Sequence, residues 1–151
     1  SDNDISLNER LIKKSIEHFC RPKVYPHFLK NLLKTRSNKK ITTIGCTDSS
    51  DGLFQALQDL AIASNCKAII NYEKVPKDKE WPKGDKWDEY YFFGGEDYEL
   101  VFSLPKKWAR KLSKQYTNIT EIGFFIEGEP SIEFKDKNKS KLLNNKPFKH
   151  F

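Results

Sequence analysis

Apolar residues recur at helical spacing in several stretches of the chain, and the segments between them are short, apolar and rich in β-branched residues. Leu11, Ile12, Ile16 and Phe19 fall on one helical face, and Ser6-Leu7-Asn8-Glu9 ahead of them has capping-box spacing. Arg21-Pro22 ends this helix, because the proline ring disfavours the α region for the residue before it. Pro26 opens a second short helix through Phe28, Leu29, Leu32 and Leu33, and the polar run 35–40 is a loop. Ile41 to Cys46 reads as a strand. From Gly52 the period changes, with Leu53, Leu57, Leu60, Ala61 and Ser64 at helical spacing and Asn65 as the stop. Lys67 to Glu73 predicts another strand, and 76–88 a long polar loop carrying Trp81 and Trp87. Tyr90 to Phe93 is short and apolar, and Tyr98 to Leu104 is a strand. Pro105 starts a helix over Lys106 to Gln115 in the favoured first position. Asn118 to Ile126 and Ser131 to Phe134 complete the strands, and the Lys/Asn-rich tract 135–146 is a solvated loop. The pattern predicts an α/β (α+β) domain with one mixed sheet and helices packed mainly on one face, without internal repeat or linker.

Composition agrees with a packed domain. The 151 residues suffice for one hydrophobic core, and 13% aromatic content offsets 32% charged residues. No apolar run approaches a membrane span, and the N-terminus lacks a secretory pattern. Cys20, Cys46 and Cys66 form no Cys-x-x-Cys pair, and an odd number leaves a free thiol in a single chain. A reducing cytoplasm is the expected compartment.

The net charge of +6 is unevenly spread. Residues 1–40 carry ten Lys or Arg against four acids, residues 41–104 six against twelve, and residues 105–151 eleven against five. The two densest motifs lie in the acidic third, which argues for metal-using chemistry and against nucleic acid as a partner.

The first motif is Thr47-Asp48-Ser49-Ser50-Asp51-Gly52-Leu53, where a strand meets a helix. Free amides at a helix start favour anions such as phosphate, and hard carboxylate oxygens suit Mg²⁺. Ordinary N-capping accounts for one Asp or Ser there, but not for Asp48, Ser50 and Asp51 together. The second motif is Gly94-Gly95-Glu96-Asp97-Tyr98-Glu99-Leu100. It reads either as a turn or as a place where glycines let backbone approach a ligand while Glu96 and Asp97 project into a pocket. His18, His27 and His150 lack ligand spacing, so no zinc site is expected.

Taken in order, these two motifs resemble the C-terminal half of thiamine-monophosphate kinase, a family of the aminoimidazole ribonucleotide synthetase superfamily. Arg21-Pro22-Lys23-Val24 and the terminal Phe148-Lys149-His150-Phe151 add to the resemblance, which runs from about residue 7 to the last residue. It implies transfer of the γ-phosphate of ATP to thiamine monophosphate, giving thiamine diphosphate. The acceptor attacks directly, so no residue is assigned as catalytic acid or base, and Mg²⁺ ions neutralise the phosphates. By position, the resemblance makes Asp48 and Asp51 Mg²⁺ ligands and Ser50 a contact of the ATP phosphates. Glu96 becomes a contact of thiamine monophosphate, and Phe148 packs against its ring. The family places an apolar residue where this chain has Ser49, a change expected to be tolerated at a strand end near the surface.

Family members are about twice this length. Residues 1–151 are therefore expected to form a single C-terminal domain, with the N-terminal ATP- and Mg-binding half, and the homodimer interface it supplies, outside this chain. Two alternatives stand beside the kinase: another ATP-using member of the superfamily, and a noncatalytic binding module that keeps the fold. The loop 76–88 is expected either to cover the thiamine site or to anchor its tryptophans on the surface.

Overall fold

The computed structural model describes residues 8–20, 30, 32–35 and 44–139. The helix α1 spans Glu9–Cys20, and the Asn8 side chain accepts from the Arg10 amide (2.8 Å), so Asn8 tops it; Ser6 lies outside the described residues. Only Leu11 of the expected apolar face is buried, and Ile12, Ile16 and Phe19 are exposed. What ties α1 down is polar. Arg10 pairs with Asp78 (3.0 Å) and Glu80 (2.7 Å), and Lys14 pairs with Asp78 (2.5 Å).

The strand β1, Gly45–Asp48, runs into α2, Leu53–Ser64, and then β2, Cys66–Ile70. Asn65 ends α2 in the left-handed conformation (φ 47°), which asparagine tolerates better than most residues, as its sequence position predicts. A 3-10 turn at Tyr72–Lys74 cuts short the strand expected to reach Glu73. Helix α3, Asp85–Phe93, takes in both the end of the supposed loop and the apolar run 90–93. The run is helical because Phe92 and Phe93 must both enter the core, which the alternation of a strand does not permit. Then follow β3, Leu100–Ser103; α4, Lys106–Gln115; β4, Gly123–Glu127; and β5, Ser131–Phe134. Pro105 is the N-cap of α4 rather than its first helical residue, and its carbonyl accepts from Trp108 and Ala109. Of the strand expected over 118–126, only the part paired with β2 is extended.

The mixed α/β architecture is present, with the strands divided between two small sheets. β1 and β3 pair antiparallel, with Asp48 opposite Leu100. In the other sheet β2 is central, antiparallel to β4 and parallel to β5. Helix α2 packs against both sheets and against α3. The main core joins Leu57, Ala68, Ile70, Phe92, Phe93 and Phe134. A smaller one gathers Leu32, Trp108 and Leu112, with the Trp108 indole N–H donating to Thr35 Oγ1 (3.0 Å). Burying an indole without such a partner would cost free energy. No helix among the described residues is long and apolar enough to cross a membrane.

Candidate functional site

Two loops that are nearly fifty residues apart in sequence interlock at the end of the β1–β3 pair. The Ser49 amide donates to the Glu99 carbonyl (2.9 Å), the Glu99 amide donates to Ser49 Oγ (3.1 Å), and the Glu96 amide donates to the Ser50 carbonyl (2.7 Å). Ser49 is only 4% exposed. The expectation of a surface position is thus corrected: a hydroxyl is accommodated because it accepts a backbone N–H that an apolar side chain would leave to other partners. The glycines act on the same junction. A Cβ on Gly95 would stand 2.5 Å from the Ser50 carbonyl oxygen, and one on Gly94 would stand 2.3 Å from that of Tyr90. What they let approach is the chain's own backbone, where the sequence suggested a ligand. Gly52 has φ +94°, and its Cβ would meet the carbonyls of Phe93 and Gly94 at 3.1 and 3.0 Å.

This junction brings Asp48, Ser50, Asp51 and Glu96 to one face. Asp48, Asp51 and Glu96 are exposed. Ser50 Oγ donates to Asp48 Oδ1 (3.1 Å), so its hydroxyl orients the carboxylate in this arrangement. Gly52 is the N-cap of α2, so the cap residue itself offers no side chain to the first amides of that helix. Tyr98, which sequence reasoning passed over, donates from its hydroxyl to Glu96 Oε2 (2.7 Å). Its phenol is held above its ordinary range by that hydrogen bond and the Glu96 charge, then by desolvation and the charges of Asp48 and Asp51. The acids therefore act on a common point. Its only signal in the sequence was its place between two acids of the glycine motif. Glu96 and Tyr98 both adopt positive φ, 71° and 50°, a conformation that costs non-glycine residues about 1 kcal/mol or more each.

Around this face, His18 Nε2 donates to the Asp97 carbonyl (2.9 Å) and lies 3.9 Å from Glu99 Oε1, which sets α1 against the glycine-acid loop. Desolvation pushes the Asp97 carboxyl upward against the charge of His18. The neighbouring Cys46 thiol is also raised, by burial and then by Asp48, which disfavours a thiolate there. Cys20, Cys46 and Cys66 are all free thiols. Phe148 lies outside the described residues, as do Arg21-Pro22 and the terminal motif.

The donor set is hard oxygen from two carboxylates. Among the described residues no three acid, His or Cys side chains group as a metal cage. Two carboxylates suit Mg²⁺ that keeps waters and shares phosphate oxygens, and do not suit a metal held by protein alone. Among the described residues the face is exposed. Among the described residues, one hollow of about 360 Å³ lies between Lys34 and Lys111 and one of about 110 Å³ beside Ile69 and Phe124, both away from this face. The tryptophans of the 76–88 segment pack on each other and on α3: Trp81 stacks edge-on to Trp87 and Tyr91, and Trp87 to Tyr90.

A mixed α/β domain with an acidic strand-to-helix turn locked to a glycine-acid loop belongs to a definable class. Residues 26–135 match the family described as AIR synthase related protein, C-terminal domain, and the chain belongs to that family. It is similar to the thiamine-monophosphate kinase of Prochlorococcus marinus, at 35% identity over 147 residues, covering 97% of this chain and 44% of that protein. It is also similar to the thiamine-monophosphate kinase of Nitrosopumilus maritimus, at 38% identity over 119 residues, covering 76% of this chain and 37% of that protein. Among solved structures, the thiamine monophosphate kinase of Aquifex aeolicus superposes with a TM-score of 0.61 at 28% identity, covering 85% of this chain and 41% of that one. AaThiL complexed with AMPPCP and TMP gives the same TM-score and identity, covering 84% of this chain and 39% of that one. The resemblance seen in the motifs is borne out, and the chain spans less than half the length of these relatives.

Proposed function

We propose that this chain is the C-terminal domain of a thiamine-monophosphate kinase, which transfers the γ-phosphate of ATP to thiamine monophosphate. The observation that carries this is the interlock of Ser49 and Ser50 with Glu96 and Glu99, which holds the Asp48/Asp51 turn and Glu96 on one open face. The relative complexed with AMPPCP, an ATP analogue, and TMP supports both ligand classes.

On this reading Asp48 and Asp51 hold Mg²⁺, which supplies charge neutralisation of the phosphates when bound. Ser50 serves the phosphate end by turning its one hydroxyl proton from Asp48, where it points in the structure, to a phosphate oxygen when nucleotide binds. The start of α2 adds amide donors and the positive end of a helix dipole. Glu96 meets the cationic thiamine moiety, and Phe148 packs on its ring. The chain's task is positioning and charge stabilisation, since the acceptor phosphate is itself the nucleophile. The open face calls for a second surface to exclude water, and an N-terminal half of the full-length protein is the proposed source of it and of a homodimer.

The test is turnover. The full-length protein with ATP, Mg²⁺ and thiamine monophosphate is expected to form thiamine diphosphate, while residues 1–151 alone bind nucleotide weakly and do not turn over. Robust turnover by the isolated chain, or none by the full-length protein, would refute the reading. An inactive full-length protein that still binds either ligand would favour a binding module.

A further inference from the structure

We infer that Tyr98 is a positioning residue of this site, its hydroxyl holding the Glu96 carboxylate in one orientation so that Oε1 faces a cationic acceptor heterocycle. The inference rests on the functional reading above and deepens it at the acceptor end.

Four observations carry it. Tyr98 Oη donates to Glu96 Oε2 at 2.7 Å, and no described residue bonds Oε1. The Tyr98 side chain belongs to neither core, and the residue is 45% exposed, so folding alone gives little reason for a tyrosine there. The loop is already held by the bonds from Glu96 to Ser50 and from Glu99 to Ser49, neither of which uses the phenol. Finally, Glu96 and Tyr98 both sit at positive φ, which is unfavourable for side chains of this size, and together the two turns bring their polar tips within hydrogen-bond reach. Strain both in the residue that carries a carboxylate and in the residue that bonds it is expected where that carboxylate must be aimed.

The chemistry explains what the hydroxyl contributes. Asp48, Asp51 and Glu96 put three negative charges around the phenol. A freely rotating Glu96 would turn away from the other two acids and toward water. An O–H donor fixed beside it removes that freedom, leaving one oxygen for the ligand. Exposed carboxylates are otherwise mobile, and a mobile acid selects a charged heterocycle poorly.

The test is a double-mutant cycle in the full-length protein, with Tyr98→Phe, Glu96→Gln and the pair, assayed against ATP and thiamine monophosphate. Tyr98→Phe is expected to raise KM for thiamine monophosphate about tenfold, the scale of a hydrogen bond to a charged group, with kcat and KM for ATP changed less than about twofold. In the Glu96→Gln background the same change is expected to do little, because residues acting through one another are not additive. Unchanged kinetics in Tyr98→Phe, or an equal loss in both backgrounds, would overturn the positioning role and leave the kinase reading standing. A parent that does not phosphorylate thiamine monophosphate would remove that reading. Crystal structures of parent and Tyr98→Phe then decide the Tyr98 role: a Glu96 carboxylate that stays in place without the hydroxyl overturns it, and one that swings away supports it.

Discussion

At the scale of single residues, Gly95 lacks a side chain because the Ser50 carbonyl stands where one would go. That contact joins the two motifs, so Gly95→Ala is expected to destabilise the domain by about 1–3 kcal/mol through forced backbone movement. Equilibrium urea unfolding of the purified chain measures this. The acids divide by chemistry. Asp51→Asn in the full-length protein keeps the side-chain shape and removes a charge from the proposed metal. It is expected to lower kcat about a hundredfold, an effect partly relieved at high Mg²⁺. Glu96→Gln is expected instead to raise KM for thiamine monophosphate, with the Mg²⁺ dependence unchanged. Steady-state kinetics across a Mg²⁺ series distinguishes the two. The motif residues were legible because their types are chemically expensive to place together. Ser49 and Tyr98 were not, since a buried hydroxyl and an exposed phenol look alike in sequence until their partners are known.

Among the elements, the 3-10 turn, α3 and the segment after β5 meet at Asp88, which is 3% exposed. Its carboxylate accepts from Lys77 (2.8 Å), Lys139 (2.9 Å) and the Tyr72 hydroxyl. Lys77 also stands 3.9 Å over the Tyr72 ring. Burial pushes the Asp88 carboxyl up, but the hydrogen bonds from Lys77, Tyr72 and Lys139 outweigh it and the net direction is down. A carboxyl lowered by folding contributes stability that is complete above its unfolded value of about 4 and is lost as pH falls through its folded value. Asp88→Asn is therefore expected to cost roughly 3 kcal/mol at neutral pH, because it strands two partly buried lysines. It should also flatten the fall in stability below about pH 4 relative to the parent. Urea midpoints measured across pH test both. Asp78, brought down to about 2 chiefly by the hydrogen bond from Lys14, contributes to the same acid limb and is unaffected by the substitution. This cluster was invisible in the chain because its members are separated by up to 67 positions and each reads as surface charge. The helical period of α2 was plain and Pro105 marked the start of α4, whereas the period of α3 was masked by its aromatic run and by the Pro/Gly-rich stretch before it.

Over the whole molecule, the acidic middle third supplies both loops of the site, and the basic flanks lie in α1, α4 and the termini. The face carrying Asp48 and Glu96 is exposed among the described residues, and the chain spans less than half the length of its relatives, which fits the proposal of an activity shared with a second domain. Local chemistry along the sequence was enough to determine that a helix stops at Asn65, where strands of β-branched residues form, and which acids are the candidates for a site, because these depend on neighbours within a turn or two. The tertiary structure alone decided that the strands part into two sheets, that the apolar stripe of α1 stays exposed while its charges dock, and that Tyr98 points its hydroxyl at Glu96. Those outcomes depend on contacts between distant segments, and no spacing within one segment encodes which of them will meet.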